Sequence, residues 1–287
     1  MKTFAAPDVF RYTRRMFIRL SLTILALCGL ALAGCRSQRN QSPETVPTVA
    51  SLDALATAIP LTQNAPPTPW NLEQTRFARI DDGLNALSGA HYTVLLQFDG
   101  AVVGTGQTVS ASAQADVTLD QLTSARRVLL TTQGELIGQP ENSQFEAVKL
   151  GDDSYLLRDG VCLSDGGTDA RAAAALSAGD LIGGLLTTLP AGRQAVINGE
   201  TVYAYTVTPD QLRLPAVQLG DDSRVTVDSA ELWIAPERGV VVRFYANLSV
   251  ENVTLLGRPA PVTGTLILRY DASALGQPNN ISIPFGC

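Results

Sequence analysis

Apolar and polar residues alternate most cleanly near the C-terminus. Val240, Val242, Phe244, Ala246, Leu248 and Val250 fall on one phase. Arg243, Asn247, Ser249 and Glu251 fall on the other, with Val241 and Tyr245 among them. Val262, Gly264, Leu266, Leu268 and Tyr270 repeat the pattern against Thr263, Thr265 and Arg269. A two-residue period sends successive side chains to opposite faces of a strand, so both runs predict strands with one buried face. The same signal runs through Tyr92, Val94, Leu96 and Phe98, and through residues 107–112, 127–131 and 225–234. Residues 145–150 and 155–157 read as two strands joined by Gly151, Asp152 and Asp153. Asn198-Gly199 predicts a two-residue hairpin turn between strands at 194–197 and 201–207.

Two stretches change period. Asn71, followed three residues on by Gln74, reads as a helix start. Phe77, Ile80, Leu84 and Leu87 then make one apolar stripe, which predicts an amphipathic helix ending near Ser88 and Gly89. Residues 169–189 carry Leu176, Leu181, Ile182, Leu185, Leu186 and Leu189 among many alanines. Gly179, Gly183 and Gly184 interrupt them, so one kinked helix or two short ones are expected, ended by Pro190. The whole reads as a mainly β domain with an antiparallel sheet packed on one face. The two helical stretches are the sizeable candidates to cover that face.

The front of the chain follows another logic. Lys2, Arg11, Arg14, Arg15 and Arg19 precede an apolar run at 20–33 that is short for a membrane-spanning helix. It reads as a targeting segment. Leu32-Ala33-Gly34-Cys35 resembles the lipobox of bacterial lipoproteins. That resemblance implies cleavage before Cys35 and a diacylglyceryl group on its thiol, with palmitate-type chains holding the protein in a membrane. Arg14 and Arg15, within the stretch from Thr13 to Arg19, resemble the twin-arginine export motif; an ordinary basic leader is the alternative. Residues 36–70 are rich in Ser, Gln, Asn, Thr, Pro and Ala and read as a tether, with at most a short helix near 51–59. The expected organisation is a signal peptide over 1–34, a lipidated cysteine and tether over 35–69, and one domain over 70–287. The expected location is the extracytoplasmic face of the cell membrane.

Charge narrows the partners. Residues 1–34 hold five of the 21 basic and one of the 27 acidic groups, so the mature chain has a formal net charge of −10. That disfavours nucleic acid as a partner. Of the four cysteines, Cys28 lies in the leader and Cys35 carries the lipid. Cys162 and Cys287 remain in an exported domain, where a disulfide persists and would pin a last strand expected over 281–285; two free, buried thiols are the alternative. The single histidine, His91, cannot build a metal cluster or a Cys-His pair alone. The acidic pairs Asp81-Asp82, Asp152-Asp153 and Asp221-Asp222 lack the spacing of a calcium loop. No Gly-x-Ser-x-Gly or phosphate loop is present. No metal, cofactor or catalytic residue is assigned, although a carboxylate pair distant in sequence stays open.

The order of lipobox, tether, helix, meandering strands, apolar helical segment and further strands resembles the LolA-like superfamily of bacterial lipoprotein carriers. It is most similar to the LppX/LprG-type mycobacterial lipoproteins. The local matches are Tyr92-Thr93-Val94-Leu95-Leu96, the turn and strand from Val148 to Leu156, the hairpin from Ala195 to Tyr205, and Ala230-Glu231-Leu232-Trp233-Ile234-Ala235. The resemblance implies a strongly curved antiparallel half-barrel sheet enclosing helices, with an apolar cavity for acyl chains. Leu176, Leu181, Ile182, Leu185, Leu186, Phe244, Leu248, Leu266 and Leu268 are its candidate lining and lid. The implied ligand is a lipid or acylated molecule, possible cargo for transfer across the envelope. The competing reading is a tethered protein-binding or envelope-sensing module with a filled core. Trp233 and Tyr245 would then be partner contacts.

Overall fold

The computed structural model describes residues 73–134, 143–164 and 167–287. The leader, Arg14, Arg15, Cys35, the tether and the short helix expected near 51–59 lie outside the described residues.

Alternation became strands. They are β1 (Thr75–Phe77), β2 (Gly89–Val102), β3 (Thr108–Asp120), β4 (Ala125–Gly134), β5 (Ser143–Leu150), β6 (Asp153–Arg158) and β7 (Val161–Ser164). After two helices, α1 (Thr168–Ala175) and α2 (Ala178–Ile182), come β8 (Gly184–Thr188), β9 (Pro190–Ile197), β10 (Glu200–Tyr205) and β11 (Leu212–Arg213). Three long strands finish the chain: β12 (Val217–Ala235), β13 (Val240–Leu255) and β14 (Val262–Ser273).

Eleven strands form one antiparallel sheet in the order β7-β6-β5-β4-β3-β2-β14-β13-β12-β10-β9. Hairpins connect most neighbours. The exceptions are β12 beside β10 and, at the centre, β2 beside β14, where the first wing meets the last. β7 and β9 are free edges, so the sheet is an open half-barrel. The hairpin at Asn198-Gly199 has positive φ at both residues, 53° and 84°, as a two-residue turn between twisted strands requires.

One face of the sheet is apolar and closed. Val94 pairs with Tyr270 and Ala115, Leu96 with Leu268 and Ala113, and Phe98 with Leu266 and Ala111. Phe244 and Leu248 extend the same rows into β13. All of these residues are buried. Small side chains on β3 sit beside large ones on β2, which pair on their other side with large ones on β14, so the rows fill without clashing. Gly100 and Gly264 face each other at one end of the seam. A Cβ on Gly264 would lie 2.3 Å from the Asp99 carbonyl oxygen, and one on Gly100 would lie 2.5 Å from the Phe98 ring. The opposite face carries polar ladders, such as Arg243 Nε donating to Asp271 at 3.0 Å and Arg269 to Asn247 at 2.6 Å.

The cover is made of short pieces. α1 packs on β4, β5 and β6, and α2 on β2. A second, three-stranded sheet, β1-β8-β11, sits with them. Phe77, Ile182 and Leu185 from these pieces join the core, with Leu176, Leu181 and Leu212 at its margin.

Three expectations need correction. The helix expected from Asn71 to Ser88 is absent from its described part; β1, turns and one 3-10 turn at Leu84–Ala86 replace it. Phe77, Ile80 and Leu84 are buried all the same. The short acidic side chains compete for backbone donors, which disfavours a helix interior. Asp82 accepts from the Arg79 amide at 2.9 Å, and Gly83 stands at φ 88° against the Gly239 carbonyl. Second, residues 169–189 form two short helices but end as strand β8, not helix. Gly183, at φ 82° and ψ −137°, stops α2. Leu185 then points in and Leu186 out. Pro190 begins β9 rather than ending a helix. Third, the strand expected over 281–285 is irregular chain, consistent with the donors removed by Pro278 and Pro284.

Cys162 on β7 is disulfide-bonded to Cys287, with S–S at 2.06 Å and a sequence separation of 125. The bond ties the irregular C-terminal segment to an edge of the sheet. Closing so long a loop constrains the unfolded chain by roughly 5 kcal/mol in the chain-entropy account. The double variant Cys162→Ser/Cys287→Ser should therefore lose about 2–5 kcal/mol in urea unfolding. Equal stability with and without the bond would contradict that role.

Candidate functional site

Most of the residues expected to line a cavity fall in the core. Ile182, Leu185, Phe244, Leu248, Leu266 and Leu268 are buried against one another in one continuous core. Leu176 and Leu181 pack at its margin, and Leu186 is exposed. Trp233 is buried, its indole N–H donating to Glu231 and its ring under the Arg193 guanidinium. Tyr245 lies on the outer face between Arg243 and Arg269.

A pocket of about 930 Å³ opens elsewhere, where the inward face of β4–β6 meets α1 and the chain at 79–85. Its floor is a cross-strand row: Leu119 pairs with Arg126, Arg126 with Lys149, and Lys149 with Ser154. This row lies two residues along from Val117 and Val128, on the same inward phase. The apolar face of the sheet therefore ends in a polar strip. Ala174 and Ala175 of α1 form an apolar wall.

Arg126 sits at the junction. Its Nη2 donates to the Tyr92 hydroxyl at 2.9 Å and to the Leu176 carbonyl, where α1 ends. Its Nε–H is buried without a hydrogen-bond partner. Tyr92 is held neutral: burial pushes its hydroxyl up to about 12, the Asp81 carboxylate adds to the rise, and Arg126 opposes it. Burial likewise raises Tyr270, whose ring centroid is 5.5 Å from that of Tyr92.

The acidic wall is internally engaged. Asp81 accepts from the Gly179 amide at 2.9 Å and lies 3.8 Å from Arg79 Nε. Arg79 also reaches Asp180 at 3.6 Å. Asp180 and Ser177 cap α2 reciprocally. Asp81 thus fastens the start of α2 to the chain ahead of β2. His91 belongs to the outer face, with Nε2 3.0 Å from Asp116 and Nδ1 3.2 Å from Ser273.

Sequence reasoning missed Tyr92, Arg126 and Lys149 as a group. In Arg126-Arg127-Val128-Leu129-Leu130 both phases carry an arginine and an apolar residue, so alternation does not say which arginine faces in.

No protein-family model and no curated protein matches the chain. Among solved structures it is similar to LprF from Mycobacterium bovis, at 14% identity and TM-score 0.28 over 72% of this chain and 92% of that one. It is similar to the LolA superfamily protein NE2245 from Nitrosomonas europaea, at 13% identity and TM-score 0.23 over 76% and 96%. A DUF1329 family protein from Desulfovibrio piger follows at 11% and 0.20 over 70% and 90%. Likenesses this distant carry no argument; the half-barrel assignment stands on strand order and one-sided burial.

Between pH 10 and 12 an unfolded chain releases the Tyr92 proton while the folded protein keeps it. Stability from this group is complete below pH 10 and falls by about 1.4 kcal/mol per pH unit above it. Tyr92→Phe should flatten the alkaline decline of the urea midpoint over that window. An unchanged decline would show that Tyr92 is not held neutral.

Proposed function

We propose that the protein is an exported lipoprotein, anchored through Cys35 on the extracytoplasmic face of the cell membrane, that binds a lipid or acylated molecule against the inward face of its sheet. Its role is binding, with transfer of the ligand across the envelope as the finer reading, and it needs no cofactor. The observation that carries the proposal is the mismatch between face and cover. A continuous apolar face spans β2, β3, β13 and β14, yet among the described residues only short elements close it: an eight-residue helix, a five-residue helix and strands of two to five residues. Helices this short have little stability of their own, so their order depends on packing that can be exchanged for packing on an acyl chain. The inward face ends in polar groups beside Arg126, which suits a ligand with one polar end.

The filled core favours a second reading, a tethered binding or sensing module without a lipid cavity. Native mass spectrometry separates the two. The full chain, released gently from its membrane, should carry a non-covalent acylated mass that organic solvent removes. Leu181→Trp, at the margin between cover and core, should lower its occupancy severalfold. A ligand-free mass together with no uptake of a fluorescent fatty acid would support the second reading instead.

A further inference from the structure

We propose that Arg126 and Lys149 form a binding site for a phosphate-type oxyanion at the end of the inward face; its lipid form rests on the function proposed above. The first ground is charge. Arg126 is partly buried, and its hydrogen bonds go to two neutral oxygens, those of Tyr92 and Leu176. Among the described residues no carboxylate forms an ion pair with it, and its Nε–H is buried and unpaired. A guanidinium withdrawn from water is costly unless an anion compensates it.

The second ground is the state of the neighbouring groups. Of the three carboxylates lining the pocket, Asp81 and Asp82 are engaged with the Gly179 amide, Arg79 and the Arg79 amide, and Asp152 is exposed at the rim. Lys149 is directly across from Arg126, is exposed, and has no ion pair among the described residues. One planar donor and one mobile ammonium side by side are the pair that recognises a phosphate: the first gives direction, the second a point charge. The site is a local basic strip in a chain of net charge −6.

The third ground is position. The strip begins where the apolar rows end, and α1 supplies alanines beside it. An amphiphile lying along the inward face would bring its head to Arg126 and its chains toward Tyr92 and Val128. The same chemistry would also accept a free phosphate ester, and the test distinguishes the two.

Binding is measured by titration calorimetry on the full chain in neutral detergent, with phosphatidylglycerol, diacylglycerol of the same chains, and glycerol 3-phosphate. Phosphatidylglycerol should bind about tenfold or more tightly than diacylglycerol, since charge-assisted hydrogen bonds to the head are lost in the latter. Arg126→Gln should remove that advantage. Lys149→Glu, on an exposed side chain that leaves the core untouched, should do the same and guards against a folding defect in the first variant. Binding of glycerol 3-phosphate as tight as that of phosphatidylglycerol, and lost in both variants, would keep the anion site and overturn its lipid form. Equal binding of the two lipids, unchanged by either variant, would overturn the anion site and leave lipid binding standing. No binding of any of the three would overturn both.

Discussion

The antiparallel seam between β2 and β14 holds the rest of the structure in place. It runs unbroken from Val102 opposite Val262 to His91 opposite Ser273, and it joins strands from the two ends of the domain. Every other strand of the eleven-stranded sheet is added outward from it, one wing through β3 and the other through β13. A slip of one residue would turn Tyr92, Val94, Leu96 and Phe98 to water and bring Thr93, Gln97 and Asp99 inward. The facing glycines at 100 and 264, where a side chain would strike backbone or the Phe98 ring, show how closely the register is set. Because the seam pairs distant parts of the chain, its formation is a non-local and therefore slow step of folding.

What the seam does not supply is a thick cover. In many β-proteins a second sheet buries the apolar face. Here the face curves and is closed by α1, α2 and the small β1-β8-β11 sheet. These pieces are held by specific polar contacts as well as by packing. Asp81 fastens the first turn of α2, and Arg126 holds the carbonyl at the end of α1. Both contacts border the polar pocket, so the groups that would meet a ligand head are the groups that position the cover. Tyr92 links them, donating toward Asp81 at 3.4 Å and accepting from Arg126.

Strand content was legible because a one-sided sheet writes its burial into the chain with period two. The runs through Val94, Phe244 and Leu266 fall on the inward face, and Asn198-Gly199 marks its turn. A disulfide between Cys162 and Cys287 was expected, with two free thiols as the alternative, and the bond is present. The helix expected through Phe77 and Leu84 failed for a physical reason: a three-four spacing of apolar residues also arises when a turn-rich segment dips repeatedly into a core, and Asp81, Asp82 and Gly83 decided in favour of turns. β8 was hidden because leucines at consecutive positions fit either period. Arg126 was hidden because its phase depends on β3 and β5, which local sequence does not reveal. Whether the apolar interior is open or filled depends on how large and small side chains meet across strands, as Leu96 meets Ala113, and single-strand patterns do not contain it.

Hydrogen exchange read by mass spectrometry tests the central claim most directly, that the cover is a separately opening layer over a lipid-binding face. On the full chain, amides of residues 168–188 should exchange by local opening, well ahead of those in β2 and β14. Added phosphatidylglycerol should slow them while leaving the seam unchanged. A cover that exchanges as slowly as the seam, and is indifferent to lipid, would contradict the account and mark the domain as a closed module.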